Sequence, residues 1–162
     1  MMDGRSPLER RFRERSYEKG SQAGADILQG LGIASTEHRV VSLDVVEALW
    51  PRYLKRLSEY SNAAQHFPVG EGQAVQDRLD RLSDALGSLS AVWLAFVDSE
   101  PVGVETSARS LIRVALTYFV TGAGDLMLTT WDAADGLCLE LNHLATGDEY
   151  EMVVWGAFAR CE

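Results

Sequence analysis

Cysteine is almost missing from this chain, long apolar runs are missing altogether, and basic residues are missing from most of its last third. The 162 residues include two cysteines, Cys138 inside a strand-like segment and Cys161 beside the C-terminus, so no disulfide framework supports the fold. None is needed, because a chain of this length buries about 70% of its unfolded surface. The start shows no basic n-region followed by an apolar h-region, which makes a reducing cytoplasm the expected compartment. No apolar run approaches the roughly 18 residues that span a bilayer, so no membrane association is expected.

The shortage of positive charge is local. Residues 1–97 carry 13 acids and 12 bases, whereas residues 98–162 carry 11 acids and only Arg109, Arg113 and Arg160 as bases. From Asp125 to Glu151 there are seven carboxylates and no lysine or arginine. Such a half repels phosphate backbones and anionic lipid and attracts a basic protein, so a basic protein partner is expected and nucleic acid is not. The basic run Arg10–Arg15 does not change this, since Glu9, Glu14 and Glu18 offset it. It reads as a solvated helix.

Periodicity supplies the fold class. Ser6, Pro7 and Glu9 spell a helix start with a capping box, and Gly20, Gly24, Gly30 and Gly32 then predict a broken helix and loop through residue 41. Val46, Leu49, Trp50, Tyr53, Leu57 and Tyr60 lie at helical spacing, with Pro51 as a kink or a restart. Val75, Leu79, Leu82, Leu86 and Leu89 repeat at 4-3-4-3, and the two stripes could pair as a helical hairpin.

Beyond residue 90 the period changes. Ala91–Val97 reads as a buried strand and Val102–Glu105 as a brief returning one. A helix capped by Thr106 or Ser107 presents Leu111, Ile112, Ala115, Leu116 and Phe119 on one face and stops at Gly122-Ala-Gly124, which is a C-cap and not a phosphate loop. Three strands follow, Asp125–Trp131, Gly136–His143 and Glu149–Trp155, joined by connections short enough for hairpins. The expected fold is therefore α+β, with N-terminal helices on one face of a mostly antiparallel sheet of four to five strands. Residues 1–41 are expected as a helix and glycine-punctuated arm, and residues 42–162 as a single α+β domain.

Alternation places Leu137, Leu139 and Leu141 on one face of the central hairpin and Cys138, Glu140 and Asn142 on the other. In the last strand Tyr150, Met152, Val154 and Phe158 oppose Glu151, Val153 and Trp155. Aromatic anchors among carboxylates are the composition of a protein-binding patch. Trp131, Asp132, Asp135, Glu140, Asp148, Glu149, Glu151 and Trp155 are accordingly the expected partner-binding residues.

Catalysis and metal binding find less support. Crowding of Glu140, Asp148, Glu149 and Glu151 would raise a carboxyl toward general-acid use. However, Glu140 and His143 point to opposite faces, and His38 and His66 sit in distant predicted loops. A zinc site would need long-range convergence, so no metal, cofactor or catalytic residue is assigned and no enzyme is expected. Cys138, mid-strand, reads as a small core residue.

In size, charge and architecture the chain resembles the small acidic cytoplasmic immunity proteins of bacterial toxin–immunity systems. Those proteins block a basic nuclease or other toxin by covering its active site with carboxylates and aromatics. The likeness implies an inhibitor of a cationic toxin; no shared motif carries it, so no functional residue is transferred. The competing expectations are a small acid/base hydrolase using the C-terminal carboxylates and a dimeric secretion or assembly chaperone. Oligomeric state is not readable from the sequence.

Overall fold

The computed structural model describes Gly4 and residues 6–160; Cys161 lies outside them. Among the described residues, five α-helices and seven strands form an α+β fold. The strands are β1 (His38–Val40), β2 (Gln65–Pro68), β3 (Ser90–Val97), β4 (Glu100–Ser107), β5 (Leu126–Thr129), β6 (Gly136–Leu144) and β7 (Gly147–Trp155). They make one antiparallel sheet in the order β1-β4-β3-β5-β6-β7-β2. The expected class holds, and the sheet is larger than the four to five strands expected. The additional strands, β1 and β2, are short and lie at its two margins.

The helices are α1 (Pro7–Gly30), α2 (Leu43–Tyr60), α3 (Gly72–Leu86), α4 (Ala108–Arg113) and α5 (Ala115–Tyr118). They cover both faces of the sheet, not one. Trp93, Ala95, Leu126, Leu128, Leu137, Leu139 and Met152 pack with Val75, Leu79 and Leu82 of α3 and with Leu111 and Ile112 of α4. The alternate residues Val92, Leu94, Met127, Cys138, Val153 and Trp155 pack with Val46, Leu49 and Tyr53 of α2. The physical reason is the continuous apolar run in β3: a strand apolar at both parities must be roofed on both sides. For the same reason α2 and α3 do not pair as a hairpin, because each stripe finds a sheet face.

α1 is a single helix. Ser6 Oγ accepts from the Glu9 N–H and Glu9 Oε2 accepts from the Ser6 N–H at 2.7 Å, completing the capping box. Gly20 and Gly24 do not break it. Cβ atoms added there would lie 3.1 Å from Val102 and 3.2 Å from Trp93 respectively, so these glycines let the helix press onto β4 and β3. Tyr17 of α1 packs with the α2 side of the core and Leu28 with the other side. The Tyr17 hydroxyl donates to the Val41 carbonyl. Tyr17 and Val41 thus pack in one core layer and Leu28 and Ile33 in the other, beside residues of the later helices and strands.

α2 runs unbroken through Pro51, whose ring is exposed while Leu49 and Tyr53 are buried. The last predicted helix divides at Val114 into α4 and α5, with Ser107 capping the first by accepting from the Ser110 N–H. No helix among the described residues is long and apolar enough to cross a membrane.

Candidate binding groove

α2 roofs only part of its face of the sheet. Toward the loop after α5, Trp50, Leu54 and Leu57 of α2 stand across from Phe96, Met127, Cys138 and Glu140, with Gly122–Asp125 forming the end wall. They enclose a groove of about 470 Å³. Its rim is openly apolar: Phe96 is 54% exposed and Leu54 52%. Phe96 stacks on Trp50 with ring centres 5.0 Å apart. Large apolar side chains left in water at a concave site are the composition of a contact surface.

The polar side of this groove is acidic. Glu140 and Asp125 both face it, and partial burial pushes the carboxyl of each above the ordinary range. Glu140 is raised further by the charges of Asp125 and Glu151. Glu140 and Glu151 are directly opposed on β6 and β7, an arrangement that costs stability when both are ionised. The Asn142 side-chain amide donates to Glu151 at 3.2 Å. His66 of β2 lies beyond, 3.0 Å from Glu149 and 3.9 Å from Glu151. No lysine or arginine among the described residues forms an ion pair with Asp125, Glu140, Glu149 or Glu151. The result is an acidic strip running from the groove to the β2 margin.

The eight residues expected to form one partner-binding surface do not do so. Glu140, Glu149 and Glu151 share the strip. Asp148 sits at the tip of the β6–β7 hairpin, 2.9 Å from His143. Trp131, Asp132 and Asp135 lie in the β5–β6 turn at the far end of β6, roughly 20 Å away at about 3.4 Å per residue. There the two aspartates build the turn. Asp132 accepts from the Ala134 N–H at 3.0 Å and from the Thr130 hydroxyl at 2.8 Å, bonds that hold its carboxyl below the ordinary range. Asp135 accepts from the Ala157 N–H at 2.6 Å. Trp131 is 40% exposed, with the Arg39 guanidinium 6.0 Å from its ring centre.

Trp155 is a core residue, and its expected role as a surface anchor is withdrawn. It is wholly buried, donates from Nε1 to the Ala133 carbonyl at 3.2 Å, and packs against Tyr53 and Tyr60. It shares the parity of Glu151, but α2 covers that end of β7 and leaves the other end open. Parity alone does not say where a roof stops.

Sequence reasoning missed Asp125, Leu54, Phe96 and His66 as site residues. Leu54 carried a signal, since it is apolar yet lies off the Val46–Leu49–Tyr53 face. The other three depend on which strands meet. Cys138 lines the groove floor but is buried, and burial pushes its thiol far above the ordinary value, so it is a packing residue and not a nucleophile.

A larger cleft, about 1260 Å³, lies between the start of α1 and the start of α2. Two of its ion pairs are internal, Arg10 with Glu14 and Arg13 with Glu47. No protein-family model matches this chain, and neither the curated proteins nor the solved structures contain a match to it.

Proposed function

We propose that this protein is a binding module that captures a cationic protein through the α2-side groove, acting as an immunity-type inhibitor of a basic toxin. One observation carries the reading: an apolar trough, with Leu54 and Phe96 exposed and Trp50 half-buried between them, borders carboxylates that have no arginine or lysine partner within the described residues. Apolar anchors supply the burial on binding, and the acidic strip supplies steering and selects a basic partner. Glu140, Glu149 and Glu151 keep the role expected of them. Asp125, Leu54 and Phe96 join them, and the turn residues Asp132 and Asp135 leave.

The test needs a defined partner. Proteins captured from native lysate are identified and then titrated individually against wild type, Leu54→Ser/Phe96→Ser and Glu140→Gln/Glu151→Gln. The first pair is expected to raise Kd at every ionic strength. The second pair is expected to slow association mainly at low salt. A partner whose affinity ignores both pairs of substitutions refutes the assignment of this surface.

A hydrolase reading has one observation in its favour, the two carboxyls raised by burial at the same groove. It predicts turnover lost in Glu140→Gln, and a Glu140→Gln protein unchanged in every hydrolase assay in which wild type is active rejects it.

A further inference from the structure

The β2 margin of the acidic strip brings together a ligand set that lies hidden in the sequence. β2 pairs with β7 so that His66 stands opposite Glu151, and Glu149, two residues earlier, shares that face. Nδ1 of His66 is 3.0 Å from Oε1 of Glu149 and 3.9 Å from Oε2 of Glu151. One donor atom from each of the three lies within 4.8 Å of the others. Four-coordinate zinc, with N and O bonds of about 2.0–2.1 Å, holds its ligands about 3.3 Å apart. The two His66 distances bracket that value, and side-chain torsions alone can draw the third ligand in.

We propose that His66, Glu149 and Glu151 bind a late first-row divalent cation, Zn²⁺ above all. Charge is the first argument. An imidazolium brings at most one positive charge to Glu149 and Glu151, and Glu140 adds a third carboxylate opposite Glu151. A divalent ion brings two and uses the imidazole in its neutral form. Ligand chemistry is the second. One nitrogen with two carboxylates suits zinc, cobalt or nickel, whereas magnesium and calcium favour all-oxygen sets. Support from behind is the third: the Asn142 amide donates to the same Glu151 oxygen that faces His66, fixing the orientation of that ligand. All three ligands stand on paired strands, so the geometry is held by backbone. A bound ion would tie the short marginal strand β2 to β7.

The experiment uses the full chain carrying Cys161→Ser, so that the terminal thiol does not compete, titrated with zinc chloride by calorimetry and with cobalt chloride by visible absorption. One equivalent of zinc is expected, with a rise in Tm and a d–d band for cobalt of low coordination number. His66→Ala and Glu151→Gln should each weaken zinc by at least about tenfold, the least expected when a ligand and not merely its support is removed. Both positions are at the surface or partly so, and circular dichroism verifies folding; Glu149→Gln serves if either variant unfolds. His143→Ala is the control, because His143 and Asp148 form a second histidine–carboxylate pair. Absence of zinc binding to wild type, retention in His66→Ala, or loss in His143→Ala overturns the assignment and leaves His66 as an ion-pairing residue only.

Discussion

Gly136→Ala tests the packing logic of the α2 side most directly. Gly136 opens β6 and is paired with Trp155 of β7, whose indole lies flat across the space where a side chain would be. A Cβ added there would sit 2.6 Å from Cε2 and 2.8 Å from Cη2 of Trp155, and nearer still to Cζ2. The backbone at Gly136 is not left-handed, so the glycine is required by this close approach and not by its φ. The indole cannot move freely, since it is wholly buried, tied to the Ala133 carbonyl, and packed on Tyr53 and Tyr60. Overpacking of this kind costs about 1–3 kcal/mol, against about 0.4–1 kcal/mol returned by the lower entropy of the unfolded chain. A net loss of about 1–2 kcal/mol is expected, read as a fall in urea midpoint at unchanged m-value and about 2–4 °C in Tm for each kcal/mol. The same substitution in a Trp155→Leu background meets no indole and should be neutral or mildly stabilising. A double-mutant cycle should therefore give a coupling of at least about 1 kcal/mol. Equal cost in both backgrounds, or no cost in wild type, refutes the account.

Glu140→Gln should stabilise the protein by about 0.2–1 kcal/mol at neutral pH by removing the repulsion across the β6–β7 pair. The sign of the pH dependence follows from linkage. A carboxyl raised in the folded state gives a contribution that is full below its unfolded value and is lost as pH rises through the folded one. The gap between Glu140→Gln and wild type should thus shrink as pH falls through the raised folded value and be gone once pH lies below the ordinary carboxylate value, and urea titrations at pH steps spanning the two check it. Ser6→Ala should cost about 0.5–2 kcal/mol through loss of the α1 cap, with faster amide exchange confined to the first turn of that helix. Cys138 should resist thiol reagents in native Cys161→Ser protein and react on unfolding; labelling at the native rate of an exposed thiol contradicts its burial.

Where the determinants were local, the sequence was enough. Ser6 and Glu9 are three residues apart and cap as expected, and alternation in β6 correctly separates Leu137 and Leu139 from Cys138. Gly20 and Gly24 misled because their reason is tertiary: they clear space for Val102 and Trp93, which lie far along the chain on β4 and β3. β1 and β2 were invisible because three and four residues, His-Arg-Val and Gln-His-Phe-Pro, carry too little alternation to stand out. The site suffered from the same limit. The meeting of His66 with Glu149 and Glu151 depends on β2 reaching β7, and the burial of Trp155 depends on how far α2 extends, neither of which a linear pattern encodes.

The brevity of the outermost strands also limits how this molecule meets others. β1 offers three residues of free backbone and β2 four, the last of them Pro68, so an incoming chain finds almost no ladder to extend. Strand addition along β1 or β2 is disfavoured for that reason. A partner docking over β1 or β2 meets side chains more than free backbone, and is chosen there by shape and charge.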